Sequence, residues 1–85
     1  MFWLGLTSEQ REQVAQAYLA EPRRAMMLGE QLGLDPMKVF ELSLKWERKR
    51  WLARFQPATE GPDRLFLWLR VTDAGHRKFS LKHVL

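Results

Sequence analysis

Eighty-five residues with a mass of 10.1 kDa form one small domain, 1–85, and leave no room for a second. The absence of cysteine excludes disulfides, thiol catalysis and cysteine–zinc sites, while a hydrophobic fraction of 46% with four tryptophans and five phenylalanines excludes intrinsic disorder. The formal charge of +4 is unevenly placed: residues 1–44 carry four basic and six acidic side chains, net −2, whereas residues 45–85 carry ten and four, net +6, which suits the second half to a polyanion.

Thr7-Ser8-Glu9-Gln10 predicts the start of a first helix. The Thr7 hydroxyl caps a free amide while Gln10 points back at the cap, and the helix stops before Pro22. Val14, Ala17 and Tyr18 recur at helical spacing and mark its inner face. A second, short helix is predicted from about Arg23 to Leu32, closed by Gly33, whose missing side chain permits a left-handed cap. Asp35 is the expected N-cap of a third helix with Pro36 in its first position, running to about Lys49. Its end is basic (Lys45, Arg48, Lys49, Arg50), which also complements the helix dipole.

Trp51 to Gln56 and Arg64 to Thr72 read as two strands of a hairpin around the turn-rich segment 57–63. Asp73 is the expected cap of a last short helix, from Ala74 to about Lys82. The fold class expected is therefore α+β and mainly helical, in the order helix, helix, helix, hairpin, helix.

The segment from Leu28 to Leu42 resembles the helix-turn-helix of DNA-binding proteins. Gly29 is small where two helices cross, Gly33 permits the tight turn, and Leu28, Leu32, Leu34, Val39 and Leu42 fill the angle between the helices. With Trp51-Leu52-Ala53-Arg54, the turn, Asp63-Arg64 and Val71-Thr72-Asp73-Ala74-Gly75-His76-Arg77 following in order, the chain resembles the winged helix-turn-helix of MarR-like bacterial regulators over about Ser8 to Phe79. The resemblance implies a transcriptional regulator that binds double-stranded DNA. It implies that Met37, Lys38, Phe40, Glu41, Lys45 and Arg48 project from the recognition helix, and that Arg54 and Arg64 flank the wing. Val39, Leu42 and Trp46 would face the core, a division that the helical spacing of these positions supports independently.

The DNA contacts expected on this reading are Lys38, Lys45, Arg48, Lys49, Arg50, Arg54 and Arg64. Phosphates would be gripped by this basic cluster, whose alternative is a solvated helix end. Three features depart from the family pattern. Met37, Phe40 and Leu44 stand on the outward stripe of the third helix, where base edges call for polar side chains. The wing tip carries Glu60 and Asp63, which a minor groove would repel. Arg50 stands where the family often has glycine.

The apolar residues support a second reading, a protein-interaction module, adaptor or inhibitor of a larger machine, anchored by Met37, Phe40 and Leu44. Phe2, Trp3 and Trp68 are further interaction candidates: the 65–71 strand is apolar on both faces, so the N-terminal segment or a second subunit would have to cover one of them. A homodimer is expected on that ground. Stacking of single-stranded bases on Trp51 and Trp68 is a third option.

His76 and His83, seven residues apart, have no carboxylate at ligand spacing, so neither a metal nor a cofactor is expected. No phosphate loop or nucleophile elbow is present, and the chain is not expected to be an enzyme. No apolar run approaches the ~20 residues of a membrane span. Met1–Leu6 lacks a basic start and a cleavage site, so a cytoplasmic location is expected.

Overall fold

A computed structural model describes residues 5–56 and 67–80 of the chain. Phe2, Trp3, the turn at 57–63, Arg64 and His83 lie outside them. The elements are α1 (Ser8–Ala20), β1 (Arg23–Arg24), α2 (Ala25–Leu32), α3 (Pro36–Arg48), β2 (Leu52–Arg54), β3 (Trp68–Val71) and α4 (Asp73–Ser80).

The local signals act as expected in the first helix. Gln10 N donates to Thr7 Oγ1 at 3.1 Å and Thr7 N donates to Gln10 Oε1 at 2.9 Å, the reciprocal pair of a capping box. Val14, Ala15, Ala17 and Tyr18 are buried on its inner face.

The second helix starts later than the sequence predicts. Arg23 and Arg24 are extended and pair antiparallel with β3, Arg23 opposite Leu69 and Arg24 opposite Trp68. Ala25 N continues the contact to Leu67 O at 2.8 Å. The helix propensity of arginine is worth only tenths of a kcal/mol, so the open edge of β3 decides the local conformation. The expected two-stranded wing is consequently a three-stranded sheet, in the order β1-β3-β2. β2 and β3 pair Leu52 with Val71 and Arg54 with Leu69.

β1 also answers the question of the doubly apolar strand. Leu69 is fully buried in the core, while the Trp68 ring lies under the Arg24 guanidinium at 4.9 Å and against the Phe55 edge at 5.9 Å. Trp68 is thus covered from within the chain.

α2 and α3 form the helix-turn-helix. Gly33 is left-handed at φ 72°, and Leu34 N donates to Gly29 O at 2.8 Å while Gly33 N donates to Glu30 O at 3.2 Å. Asp35 then caps α3, accepting from Met37 N and Lys38 N at 2.9 and 3.3 Å. A Cβ on Gly29 would stand 2.5 Å from Pro36 Cα, so the crossing demands glycine.

α3 ends on the same hydrogen-bond pattern without glycine. Arg50 N donates to Glu47 O and Trp51 N to Trp46 O, both at 2.9 Å, with Arg50 at φ 66°. A side chain in that conformation costs roughly 1–2 kcal/mol, partly offset by the flexibility glycine brings to the unfolded chain. Arg50→Gly is therefore expected to raise stability by about 0.5 kcal/mol, read as a small increase in denaturation midpoint at unchanged m value.

Thr72, and not Asp73, caps α4. Thr72 Oγ1 accepts from Gly75 N at 3.0 Å and its hydroxyl donates to Arg50 O at 2.7 Å, while Asp73 is the first helical residue. The hydroxyl can both accept and donate, which a carboxylate cannot, and so it ties α4 to the turn after α3.

The core gathers Leu6, Val14, Tyr18, Leu28, Val39, Trp46, Leu52, Leu69 and Phe79. Phe79 packs against Trp46 with the ring centroids 4.7 Å apart and the planes tilted by 50°, and meets the edge of Trp51 at 6.0 Å. One polar chain crosses it: Tyr18 OH donates to Ser43 Oγ at 2.7 Å, and Ser43 Oγ donates to Val39 O at 2.9 Å.

Burial pushes the Tyr18 phenol up to about 12, against the lowering effects of the Ser43 hydrogen bond and the Arg23 charge. The folded pKa exceeds the unfolded value of about 10, so ionisation favours unfolding. Tyr18's contribution is intact below pH ~10 and declines as pH rises from there toward ~12. Tyr18→Phe is expected to cost about 1 kcal/mol at neutral pH and to flatten this alkaline decline. Ser43→Ala, which leaves the buried phenol without its acceptor, should cost more, about 1–3 kcal/mol. Urea denaturation at pH 7 and pH 11 measures both effects.

Candidate nucleic-acid interface

α3 lies across the molecule with Val39, Ser43 and Trp46 buried beneath it. Residues three and four apart share one face of a helix, which places Met37, Glu41, Lys45 and Arg48 on the outer arc. All four are exposed, Met37 to 64%. Lys38, Phe40 and Leu44 are half-buried, and Phe40 packs against the core. Of the apolar residues expected to project from this helix, Met37 alone is fully presented to solvent.

The basic cluster follows in space as it does in sequence. Lys45, Arg48, Lys49 and Arg50 are exposed through the last turn of α3 and the reversal after it, and Arg54 is exposed at the end of β2. Arg54 does not stand alone. Its Nη2 donates to Glu47 Oε1 at 3.0 Å and its Nε to Glu47 Oε2, a forked pair that ties the strand to α3. Hydrogen bonding first and charge second push the Arg54 guanidinium above its ordinary value. The arginine side chain remains 60% exposed, so one partner holds it while its outer side faces water.

Neither Trp51 nor Trp68 offers an open ring. Lys49 Nζ and Lys78 Nζ stand over the Trp51 ring at 5.0 and 5.1 Å, and Phe79 meets its edge. Trp68 is covered by Arg24 and Phe55 in the same way. Base stacking on either indole would require displacing these side chains.

A groove of about 370 Å³ runs between the start of α1 and one flank of α3. Leu6, Leu42, Trp46 and Trp51 supply its apolar lining. Arg11, Lys38, Lys45, Arg48 and Lys49 supply five cations against the carboxylate of Glu41. Arg11 escaped sequence reasoning because it stands in the acidic half of the chain, far from the basic cluster it joins in space. Its position one helical turn after the Thr7 cap was the available signal.

Among the described residues there is no group of three or more His, Cys, Asp or Glu side chains placed to hold a metal ion. No helix among them is long and apolar enough to cross a membrane.

No known family model and no curated protein matches the sequence. Solved structures do. The transcriptional regulator BldR from Sulfolobus solfataricus superposes with a TM-score of 0.68 at 19% identity, covering 86% of this chain and 50% of that one. ZitR from Lactococcus lactis, a zinc-responsive MarR family member, gives 0.67 at 20% identity, over 95% and 53%. The PcaV transcriptional regulator from Streptomyces coelicolor, solved with its natural ligand, gives 0.66 at 29% identity, over 88% and 51%. The chain therefore has the winged-helix fold of MarR-like regulators and spans about half the length of each.

Proposed function

We propose that this chain is a winged-helix regulator of transcription that binds double-stranded DNA and is not an enzyme. The observation that carries this reading is the exposed arc of α3, where Lys45 and Arg48 run without interruption into Lys49, Arg50 and the wing base at Arg54. The helix-turn-helix supplies the mechanics: α2 braces α3 through the Gly29 crossing, so α3 is presented as a rigid rod to a major groove. In this reading Lys38, Lys45 and Arg48 lie nearest bases and phosphates, while Lys49, Arg50, Arg54 and Arg64 hold the backbone. The resemblance to three transcriptional regulators supports the same class.

The regulator acts as a cytoplasmic homodimer in this proposal, with two recognition helices about 34 Å apart on successive major-groove faces. Met26, 52% exposed, and the apolar Phe2 and Trp3 of the sequence are the surface we assign to the dimer. Solution mass measurement tests it: a monomer at micromolar concentration would remove the dimer and leave the DNA reading standing.

The functional experiment is a titration of random duplex and single strand at several salt concentrations. Duplex binding with a slope of about −4 to −6 in log K against log salt is expected from four to seven phosphate contacts. No duplex binding at low salt would refute the proposal.

The 64% exposure of Met37 favours one alternative, a protein-docking anchor on the same helix. Met37→Ser separates the two, since it abolishes a protein contact and leaves phosphate-driven DNA binding intact.

A further inference from the structure

We infer that the groove between α1 and α3 seats the sugar–phosphate backbone of one strand of the bound duplex, with Arg11 as a phosphate contact contributed by α1. The inference rests on the duplex-binding reading and extends it to a helix to which that reading assigns no contact.

Charge comes first. Five cations and one carboxylate line the groove, and two of the cations, Arg11 and Lys38, come from residues 1–44, which are net negative as a whole. Arg11 is the only basic residue of α1. It is exposed, and its Nη2 donates at 3.3 Å to the neutral hydroxyl of Ser8, a contact that leaves its charge intact. Five like charges against one carboxylate concentrate positive potential in the groove, which attracts a polyanion's backbone.

Surface chemistry agrees. The lining joins cations to buried and half-buried apolar side chains, Leu6, Leu42, Trp46 and Trp51. A deoxyribose presents C–H edges that pack on the leucine side chains while its flanking phosphates reach the cations. A purely ionic trough would hold phosphates and leave the sugars unmatched.

Continuity is the third argument. Lys45 and Arg48 belong both to the groove and to the outer arc of α3. A strand lying in the groove therefore belongs to the same duplex that α3 enters, and Arg54 stands at the wing base as a separate contact. The duplex is then held by phosphate contacts from α1 as well as from α3 and the wing base.

The test is fluorescence anisotropy of a random-sequence 20-base-pair duplex, about 20 pairs being enough to cover two helical turns, titrated at several salt concentrations. Arg11→Gln is expected to weaken binding about 3–10-fold near 0.1 M salt and to make the salt slope shallower by about 1. Arg11→Lys is expected to restore the slope. Arg77→Gln removes the same charge from exposed α4, away from the groove lining, and is expected to leave the slope unchanged. Circular dichroism confirms that each variant is folded. Wild-type slope and affinity in Arg11→Gln would overturn the groove contact while leaving duplex binding established. Equal losses in Arg11→Gln and Arg77→Gln would overturn it too, because net charge would then account for both. A wild-type protein that binds no duplex at any salt overturns the functional reading and this inference together.

Discussion

Gly75→Ala is expected to destabilise the domain by about 2–4 kcal/mol. A Cβ at Gly75 would lie 2.1 Å from the Trp51 carbonyl oxygen, 3.0 Å from its carbon and 2.8 Å from Val71 Cγ2. The carbonyl cannot move aside cheaply. Thr72 N donates to it at 3.0 Å, and the residue follows the left-handed Arg50 that closes α3. Relief must come from lifting α4, which withdraws Phe79 from Trp46 and opens the core beneath the sheet. A domain of this length has roughly 5–10 kcal/mol of stability in total, so a large share is lost. Each kcal/mol lowers the melting temperature of such a domain by about 4–8 °C, so a drop of more than 10 °C is expected in a thermal melt. A melting temperature within two or three degrees of wild type, at about 4–8 °C per kcal/mol, would show that α4 and the Trp51 turn are not in close contact.

Arg48→Glu is expected to lower duplex affinity by about 10- to 100-fold near 0.1 M salt, because it deletes a cation at the centre of the α3 arc and adds a charge that phosphates repel. Stability should change by less than about 0.5 kcal/mol, since the residue is exposed and away from the core. Combining it with Arg54→Glu deepens the loss and adds a second effect, for the new carboxylate faces Glu47 where a forked ion pair stood. Anisotropy titrations of folded variants provide the measurement. Unchanged duplex affinity in the double reversal would remove α3 and the wing base from any DNA interface.

These two variants sit on different levels of the same design. Gly75 sets how closely α4 approaches the turn after α3, and that turn aims the basic residues that Arg48 begins. The Tyr18–Ser43 bond fixes α3 from the opposite side, linking it to α1 through a hydrogen bond between two buried hydroxyls. The buried support and the exposed basic arc thus share one helix.

Much of the fold was legible in the amino-acid sequence because its signals are local. The Thr7 capping box, the Gly33 turn, the Asp35-Pro36 start and the helical spacing of Val39 and Trp46 each depend on residues within a turn or two of one another. The candidate interface was partly legible for the same reason: Lys45, Arg48, Lys49 and Arg50 lie within six residues of sequence and are all exposed at the end of α3 and the reversal after it.

Tertiary structure alone decided the rest. Arg23 and Arg24 became a strand because β3 offered an unpaired edge some forty-five residues away in sequence, as Arg23 opposite Leu69 shows. Thr72 took the cap of α4 because its hydroxyl also reaches Arg50 O, and Glu47 engaged Arg54 because β2 turns back along α3. Arg11 joined the basic groove although its half of the chain is net acidic. Caps and periodicity are written in neighbouring residues, whereas edge pairing, ion pairs across elements and summed surface charge exist only once distant segments are brought together.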